Sequence, residues 1–440
     1  MITTLKNAFK IKELRNKILF TLGMLVVIRL GSQLPTPGIN GEVFRRWYEE
    51  QTAGNFSFFN AITGGSFSSM AVFALGINPY ITSSIIMQLL TIAIPKLEEM
   101  QRDGEDGRKK IASITRYVTV ALAVIQSTAM AIGFDAAKQL SDYHNPLTII
   151  TVVASLTAGS AFLMWVGEQI NEKGIGNGIS IVLLINILSR VPNDIGGLFE
   201  SFVFKEGLPP ATAVLSALII VAIIVGMVIL VALLNGAVRR IPVQYAKKMQ
   251  GKRMVGGQSS NIPLPVNTAG VIPVIFAQSL MSLPIMICTF AGYQGSGIWG
   301  EILKGLNSDQ WCRPSELQYS IGLIVYIALI VFFAYFYTSI TFNPLMVADN
   351  MKKQGGFIPG IRPGKPTCDY LNNVLNYVVF IGAVGLTIVS VIPFFFNGVA
   401  GAKVSFGGTS LIIIVSVIIE TLKQVESQML VRNYKGFLND

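Results

Sequence analysis

The sequence predicts an all-α, polytopic membrane protein with ten transmembrane helices. Three observations carry that prediction. The 440-residue chain is 52% hydrophobic and only 13% charged, with a mean hydropathy of +0.57. Several apolar runs reach the roughly 20 residues needed to cross a hydrocarbon layer. The cations divide unevenly between alternate connecting segments, 24 Lys and Arg on one side against 8 on the other. Length alone would suit two or three soluble domains, but composition overrides it. The net charge of +10 is first explained as loop charge that fixes orientation.

The elements follow in order. Lys6, Lys10, Lys12, Arg15 and Lys17 precede the first span, Ile18 to Leu34, and place the N-terminus in the cytoplasm. No small-residue cleavage site follows, so no removed signal peptide is read. Arg29 lies toward the outer end of this span. It is expected to snorkel to the interface, because a charge at mid-bilayer costs about 3 kcal/mol.

The second span, Met70 to Pro95, follows a polar and aromatic stretch that starts at Asn55, and Gly76-Ile77-Asn78-Pro79 interrupts it. Backbone breaks at membrane depth are tolerated only where the segment is buried in protein or lines water. The expectation is a short re-entrant helix and then a broken transmembrane helix beside an aqueous path. A Pro-kinked helix in an ordinary bundle is the alternative. Lys96, Arg102, Arg108, Lys109 and Lys110 place the next loop inside.

The third span is Ile111 to Phe134 and the fourth Leu147 to Gly167. The fifth, Ile179 to Pro192, is short. The sixth, Ala211 to Val238, is long and apolar, and the inner loop after it carries Arg239, Arg240, Lys247, Lys248, Lys252 and Arg253. The seventh, Ala269 to Tyr293, contains Pro273 and Pro284. The eighth is Tyr319 to Phe342, followed by an inner loop with Lys352, Lys353, Arg362 and Lys365. The ninth is Asn376 to Phe396, and the tenth is Gly408 to Leu430, with the C-terminus inside.

Five spans per half make the second half start outside. Residues 1–205 and 206–440 are therefore expected to be inverted halves around a central pore. Spans 2, 5, 7 and 10 are broken, short or polar and are expected at the centre. Spans 6, 8 and 9 are clean and are expected to face lipid.

No chemistry is legible. Gly360 to Lys365 has the wrong spacing for a phosphate loop, and Gly174, Gly176 and Gly178 follow no strand. His144 has no evident nucleophile partner. Cys288, Cys312 and Cys368 form no CxxC, and Cys312 and Cys368 fall on opposite sides of the membrane. The expectation is no enzyme site, no cofactor and no metal, with energy supplied by a partner or an ion gradient.

Six stretches then carry a resemblance: Leu34-Pro35-Thr36-Pro37-Gly38-Ile39, Ala74-Leu75-Gly76-Ile77-Asn78-Pro79-Tyr80-Ile81, Gly174-Ile175-Gly176-Asn177-Gly178-Ile179-Ser180, Asn267-Thr268-Ala269-Gly270-Val271-Ile272-Pro273, Pro359-Gly360-Ile361-Arg362-Pro363-Gly364 and Phe406-Gly407-Gly408-Thr409-Ser410. Over nearly its full length the chain resembles the SecY family, central channel subunits of the bacterial protein translocase. The resemblance implies an hourglass channel in the plasma membrane whose waist is a ring of Ile77, Ile81, Ile179, Leu183, Ile275 and Ile413, with Leu183 in place of the usual Ile.

It also implies a plug at Phe58, Phe59, Asn60, Ala61, Ile62, Thr63, Gly64, Gly65, Ser66, Phe67, Ser68 and Ser69, a small helix in a water-filled funnel. A lateral gate would lie between spans 2 and 3 and spans 7 and 8, with Thr82, Gln126, Gln278 and Ser279 as polar candidates near the seam. Arg239, Arg240, Lys247, Lys248, Lys252, Arg253, Arg362 and Lys365 would dock a SecA-like ATPase motor or the ribosome. Further implied partners are SecE- and SecG-like small membrane subunits, signal peptides, nascent polypeptides and membrane lipid. The leading expectation is a passive protein-conducting channel. A secondary transporter of a small solute is the alternative, although coupled transporters usually carry ionisable residues near mid-membrane.

Overall fold

The computed structural model describes residues 8–51, 57–136, 145–204, 209–245, 248–250, 253–255, 259–290, 297–313, 317–400 and 408–436. Helix α1 (Lys12–Gly31) is the first span, followed by the short helices α2 (Gly41–Gln51) and α3 (Ser57–Ile62). The second span, α4 (Asn78–Ala93), bends by 105° into α5 (Pro95–Arg102). Helices α6 (Glu105–Ala136), α7 (Pro146–Lys173) and α8 (Gly178–Phe202) complete the first half. The second half holds α9 (Pro210–Gly236), α10 (Ile272–Phe290), α11 (Ile298–Leu306), α12 (Ile321–Thr341), α13 (Pro344–Lys353), α14 (Lys365–Ala400) and α15 (Gly408–Gly436).

Each of the ten expected spans coincides with a helix. Among the described residues, six are long and apolar enough to cross a membrane alone, and the bent pair α4–α5 makes a seventh. The others are α1, with its basic start, α10, with a short apolar stretch, and α15, which carries Glu420, Lys423 and Glu426.

The halves repeat one packing plan. In the first, α1 packs on α7 and α8, α4 on α6, α6 on α7, and α7 on α8. In the second, α9 packs on α14 and α15, α10 on α12, α12 on α14, and α14 on α15. These are the same five pairings, span for span. The halves meet where α8 packs on α15 and α9, and where α10 packs on α4 and α6.

Several expectations change. Asn78-Pro79 is not an interior break. Pro79 sits in the first turn of α4, where its missing N–H costs nothing; residues 70–77 before it are turns. The real bend falls at Ile94-Pro95. The fifth span is not short, because α8 continues through Pro192 to Phe202. Helix α9 has only 11% of its apolar stretch buried, which suits a lipid-facing position, but α14 is half buried. The basic loop after the sixth span contains strands that the sequence reading does not assign. There β1 (Val238–Tyr245) pairs antiparallel with β4 (Ser259–Pro265), and β2 (Lys248–Gln250) pairs with β3 (Arg253–Val255). The basic loop after the eighth span adds β5 (Gly356–Phe357) to the other edge of β1.

Candidate functional site: an apolar waist and the segment packed on it

The turn between α7 and α8 sets the position of two waist residues. Asn177 caps α8 by accepting hydrogen bonds from the N–H groups of Ile179 and Ser180. The Gly178 N–H donates to Asn171 Oδ1 at 2.7 Å. A Cβ at Gly178 would lie 1.8 Å from the Gly167 carbonyl oxygen, so only glycine admits this approach. Helix α8 therefore starts hard against α7, with Ile179 in its first turn and Leu183 one turn on, on the same face. On α4, Ile77 is the N-cap residue, and its carbonyl accepts from the Ile81 N–H at 3.1 Å.

The structure brings the six ring candidates into one apolar cluster. Ile77, Ile81, Leu183, Ile275 and Ile413 are buried, none more than 7% exposed, and the half-buried Ile179 packs against them. They come from α4, α8, α10 and α15, the four spans expected at the centre. The cluster extends beyond the six, to Ile187 and Met281 among others.

The re-entrant segment packs onto this waist. Among the described residues its helix covers Ser57–Ile62, and turns follow to Gly65 and beyond. Phe58 and Phe59 lie in that helix, and their side chains fall outside the described residues. Asn60, Ala61, Ile62, Thr63, Ser66 and Phe67 are buried, Gly64, Gly65 and Ser68 are half-buried, and Ser69 is exposed. The expected water-filled setting is thus replaced by packing. Ile62 joins the waist cluster, while Phe67 joins a second cluster with Phe44, Met130 and Phe134.

Internal hydrogen bonds shape the segment. Asn60 Oδ1 accepts from the Ser68 N–H at 3.1 Å, and the Gly65 N–H donates to the Asn60 carbonyl at 3.0 Å. The Thr36 N–H donates to the Met70 carbonyl at 2.9 Å and ties the segment to the loop after α1.

Arg29 is corrected here. It does not snorkel outward: its Nη1 is buried without a hydrogen-bond partner and lies 3.1 Å from where a Gly64 Cβ would be. Arg190 Nη1 lies 3.6 Å from the Gly65 equivalent, and Arg190 pairs with Asp194 at 4.0 Å. The Gly64-Gly65 turn therefore has a guanidinium from α1 and one from α8 beside it. Nothing in the sequence signals this, because neither arginine is close to the turn in the chain.

At the seam, α10 packs directly on α4 and α6. Thr82, Gln126 and Ser279 are half-buried and Gln278 is buried. The amide oxygens of Gln126 and Gln278 are buried without a hydrogen-bond partner. Ser83, absent from the expected set, donates from Oγ to the Thr115 carbonyl at 2.8 Å and joins α4 to α6.

At the sheet end, Arg239, Arg240, Arg362 and Lys365 are exposed. Lys248 and Arg253 lie in β2 and β3, and Lys247 and Lys252 fall outside the described residues. The two basic loops share one small core of Ile241, Val243, Leu264, Ala348, Met351, Ile358 and Leu371. The alternation of β1, with Ile241 and Val243 inward and Arg239, Arg240 and Gln244 outward, was the available signal for this sheet. Among the described residues, no group of three or more His, Cys, Asp or Glu side chains could hold a metal, and all three cysteines are free thiols.

Inverted helical halves that meet at an apolar waist, with a re-entrant segment packed on it, define a membrane channel. The comparisons narrow the class. The sequence profile of the SecY family matches residues 71–422. The chain is 43% identical over 451 aligned residues to the protein translocase subunit SecY of Streptomyces scabiei, covering 100% of both chains. It is 42% identical to that of Mycobacterium bovis, again over 100% of both. A solved SecY protein, whose plug domain stabilises the closed state of the translocation channel, superposes with a TM-score of 0.63 at 19% identity, covering 94% of this chain and 92% of that one. The chain belongs to the SecY family.

Proposed function

We propose that this protein is the channel subunit through which unfolded secretory polypeptides cross the bacterial plasma membrane, and from which transmembrane segments leave sideways into lipid. The observation that carries the reading is the waist. Isoleucine and leucine side chains from four helices of both halves meet at one place, and the re-entrant segment adds Ile62 to the same cluster. A narrow apolar constriction resists ions by dewetting, and soft side chains fit around a passing chain.

The gate reading rests on the seam. Two buried amides without partners are poor glue, since each costs about 1–3 kcal/mol in the closed state. An entering apolar signal segment that separates α10 from α4 and α6 relieves that cost, and opening becomes a population shift driven by differential binding. The basic loops are read as cytoplasmic docking surfaces, which places both termini in the cytoplasm. Their exposed arginines suit rRNA phosphates or the acidic surface of an ATPase motor. Two further solved neighbours are ribosome-bound channels, one from canine endoplasmic reticulum and one from yeast, at 19% and 15% identity. SecE- and SecG-like small subunits are further proposed partners. The relatives are translocase subunits rather than enzymes, and the chain is read as passive.

The test replaces Ile77 and Ile275 by Asn. Ion leak through reconstituted channels is expected to rise at least tenfold, and discrimination against defective signal sequences to relax. Unchanged conductance together with unchanged discrimination would refute the waist assignment.

A further inference from the structure

Helix α11 connects the seventh and eighth spans at the end of the molecule away from the sheet, and one of its faces has no protein on it. Ile298 is 81% exposed, Trp299 67% and Ile302 44%. Ile298 and Ile302 are one turn apart and Trp299 lies beside them, so they form one strip. A second strip carries Glu301 and Lys304, both exposed and 3.6 Å apart. Gly300 is buried, Leu303 is half-buried, and the half-buried Leu306, one turn past Ile302, packs on the core cluster at the end of the helix.

The polar strip fixes which way the helix is turned. The Tyr319 hydroxyl, just before α12, donates to Glu301 Oε2 at 2.6 Å, and Lys304 Nζ stands 5.8 Å over the Tyr319 ring. The Tyr319 bond holds the Glu301 carboxyl below the usual carboxylate range, so the staple persists at neutral pH. With that side pinned to the start of α12, the isoleucine–tryptophan strip cannot roll inward.

The exposed strip also continues apolar surface on both neighbouring spans. Ile287 on α10 and Ile321 and Ile324 on α12 are each at least 65% exposed. The inverted half supplies a contrast. Helix α5 connects the second and third spans, the equivalent position, yet it turns Lys96, Glu98, Glu99 and Gln101 outward and half-buries Leu97 and Met100. A connector exposed to water is built like α5, whereas α11 is not.

We propose that α11 is an interfacial helix, with Ile298, Trp299 and Ile302 seated in the headgroup–acyl boundary of the leaflet opposite the basic loops, and that it anchors the ends of α10 and α12 to lipid. Apolar faces rich in Trp with a charged opposite strip take this position, about 5–10 Å into the boundary, and Trp is enriched there.

The test reconstitutes the full chain in vesicles of phosphatidylethanolamine and phosphatidylglycerol. With Cys288, Cys312 and Cys368 changed to Ser, a nitroxide is placed at I302C or at K304C. At position 302, collisions with oxygen are expected to exceed those with an aqueous nickel chelate at least threefold, and at position 304 the ratio is expected to invert. The same aqueous pattern at both positions overturns the proposal. So does exclusion of both reagents at position 302, which means that protein covers the face. A second measurement leaves the cysteines intact. The fluorescence component lost in Trp299→Phe is expected to be quenched at least twofold by shallowly brominated lipids, and an unquenched component overturns the proposal equally.

Discussion

At the scale of single residues, backbone geometry decides more than side-chain chemistry. Gly64 has φ +66°, and a Cβ there would lie 2.9 Å from both the Cα and the carbonyl oxygen of Asn186. The left-handed conformation alone costs an L-residue roughly 1–2 kcal/mol, and α8 backbone cannot yield cheaply. Gly64→Ala is therefore expected to lift the re-entrant segment off α8, and Ile62 with it, while leaving the six ring side chains unaltered. Alkylation of a cysteine placed at Ser66, buried in the native chain, should accelerate at least fivefold, with a smaller rise in ion leak than the double waist variant gives. An unchanged alkylation rate would mean the seat tolerates the methyl group. The sequence reads as a small helix from Phe58 to Ser69, whereas the described helix ends at Ile62 and Gly64-Gly65 form a turn. It does not announce that Arg29 is the neighbour. Reading Arg29 as a snorkelling cation followed from its place near a helix end. What decided otherwise was the side of α1 that faces α7 and α8, a tertiary fact.

At the scale of elements, composition located the helices well and their ends poorly. Apolar length alone finds α9 and α12. Pro192 misled because proline usually ends a helix, yet α8 runs ten residues past it, with Arg190 and Asp194 spanning the site at i, i+4. The sheet at the basic end was missed because its strands lie in loops whose charge dominates a first reading. The seam between α10 and the α4–α6 pair gives the prediction proper to this scale. Gln126→Leu and Gln278→Leu remove buried amide oxygens that lack partners, and each is expected to stabilise the closed seam by about 1–3 kcal/mol. Thermal unfolding in detergent should move upward. Export of precursors with weak signal sequences should fall more steeply than export of those with strong ones, because the weak ones supply less differential binding. A fall in stability would show that the amides are satisfied by water that the closed seam retains.

At the scale of the whole molecule, the sheet end, proposed as the docking surface, and the waist are separate clusters that share a polar joint. The basic loops close over their own small core, and the six ring candidates belong to another. Asn235, at the end of α9 just before β1, links the two. Its Nδ2 donates to Ser416 Oγ at 2.6 Å, its Oδ1 accepts from Asn267 Nδ2 at 2.7 Å, and its carbonyl accepts from Lys423 Nζ at 3.2 Å. Ser416 lies one turn beyond Ile413 on α15, and Asn267 follows β4 directly. A force applied to the sheet can therefore reach a waist helix through hydrogen bonds, beside the apolar route along α14. Asn235→Ala deletes two of these bonds, a loss of about 1–3 kcal/mol, while Arg239, Arg240, Arg362 and Lys365 stay exposed and unaltered. Binding of a motor or ribosome is expected to stay within twofold of the native value, while translocation per bound partner falls at least fivefold. A double-mutant cycle of Asn235→Ala with Ser416→Ala isolates the joint, because coupled residues depart from additivity by 0.5–3 kcal/mol. Strict additivity, or a parallel loss of docking and transport, would mean that the two ends communicate by another route.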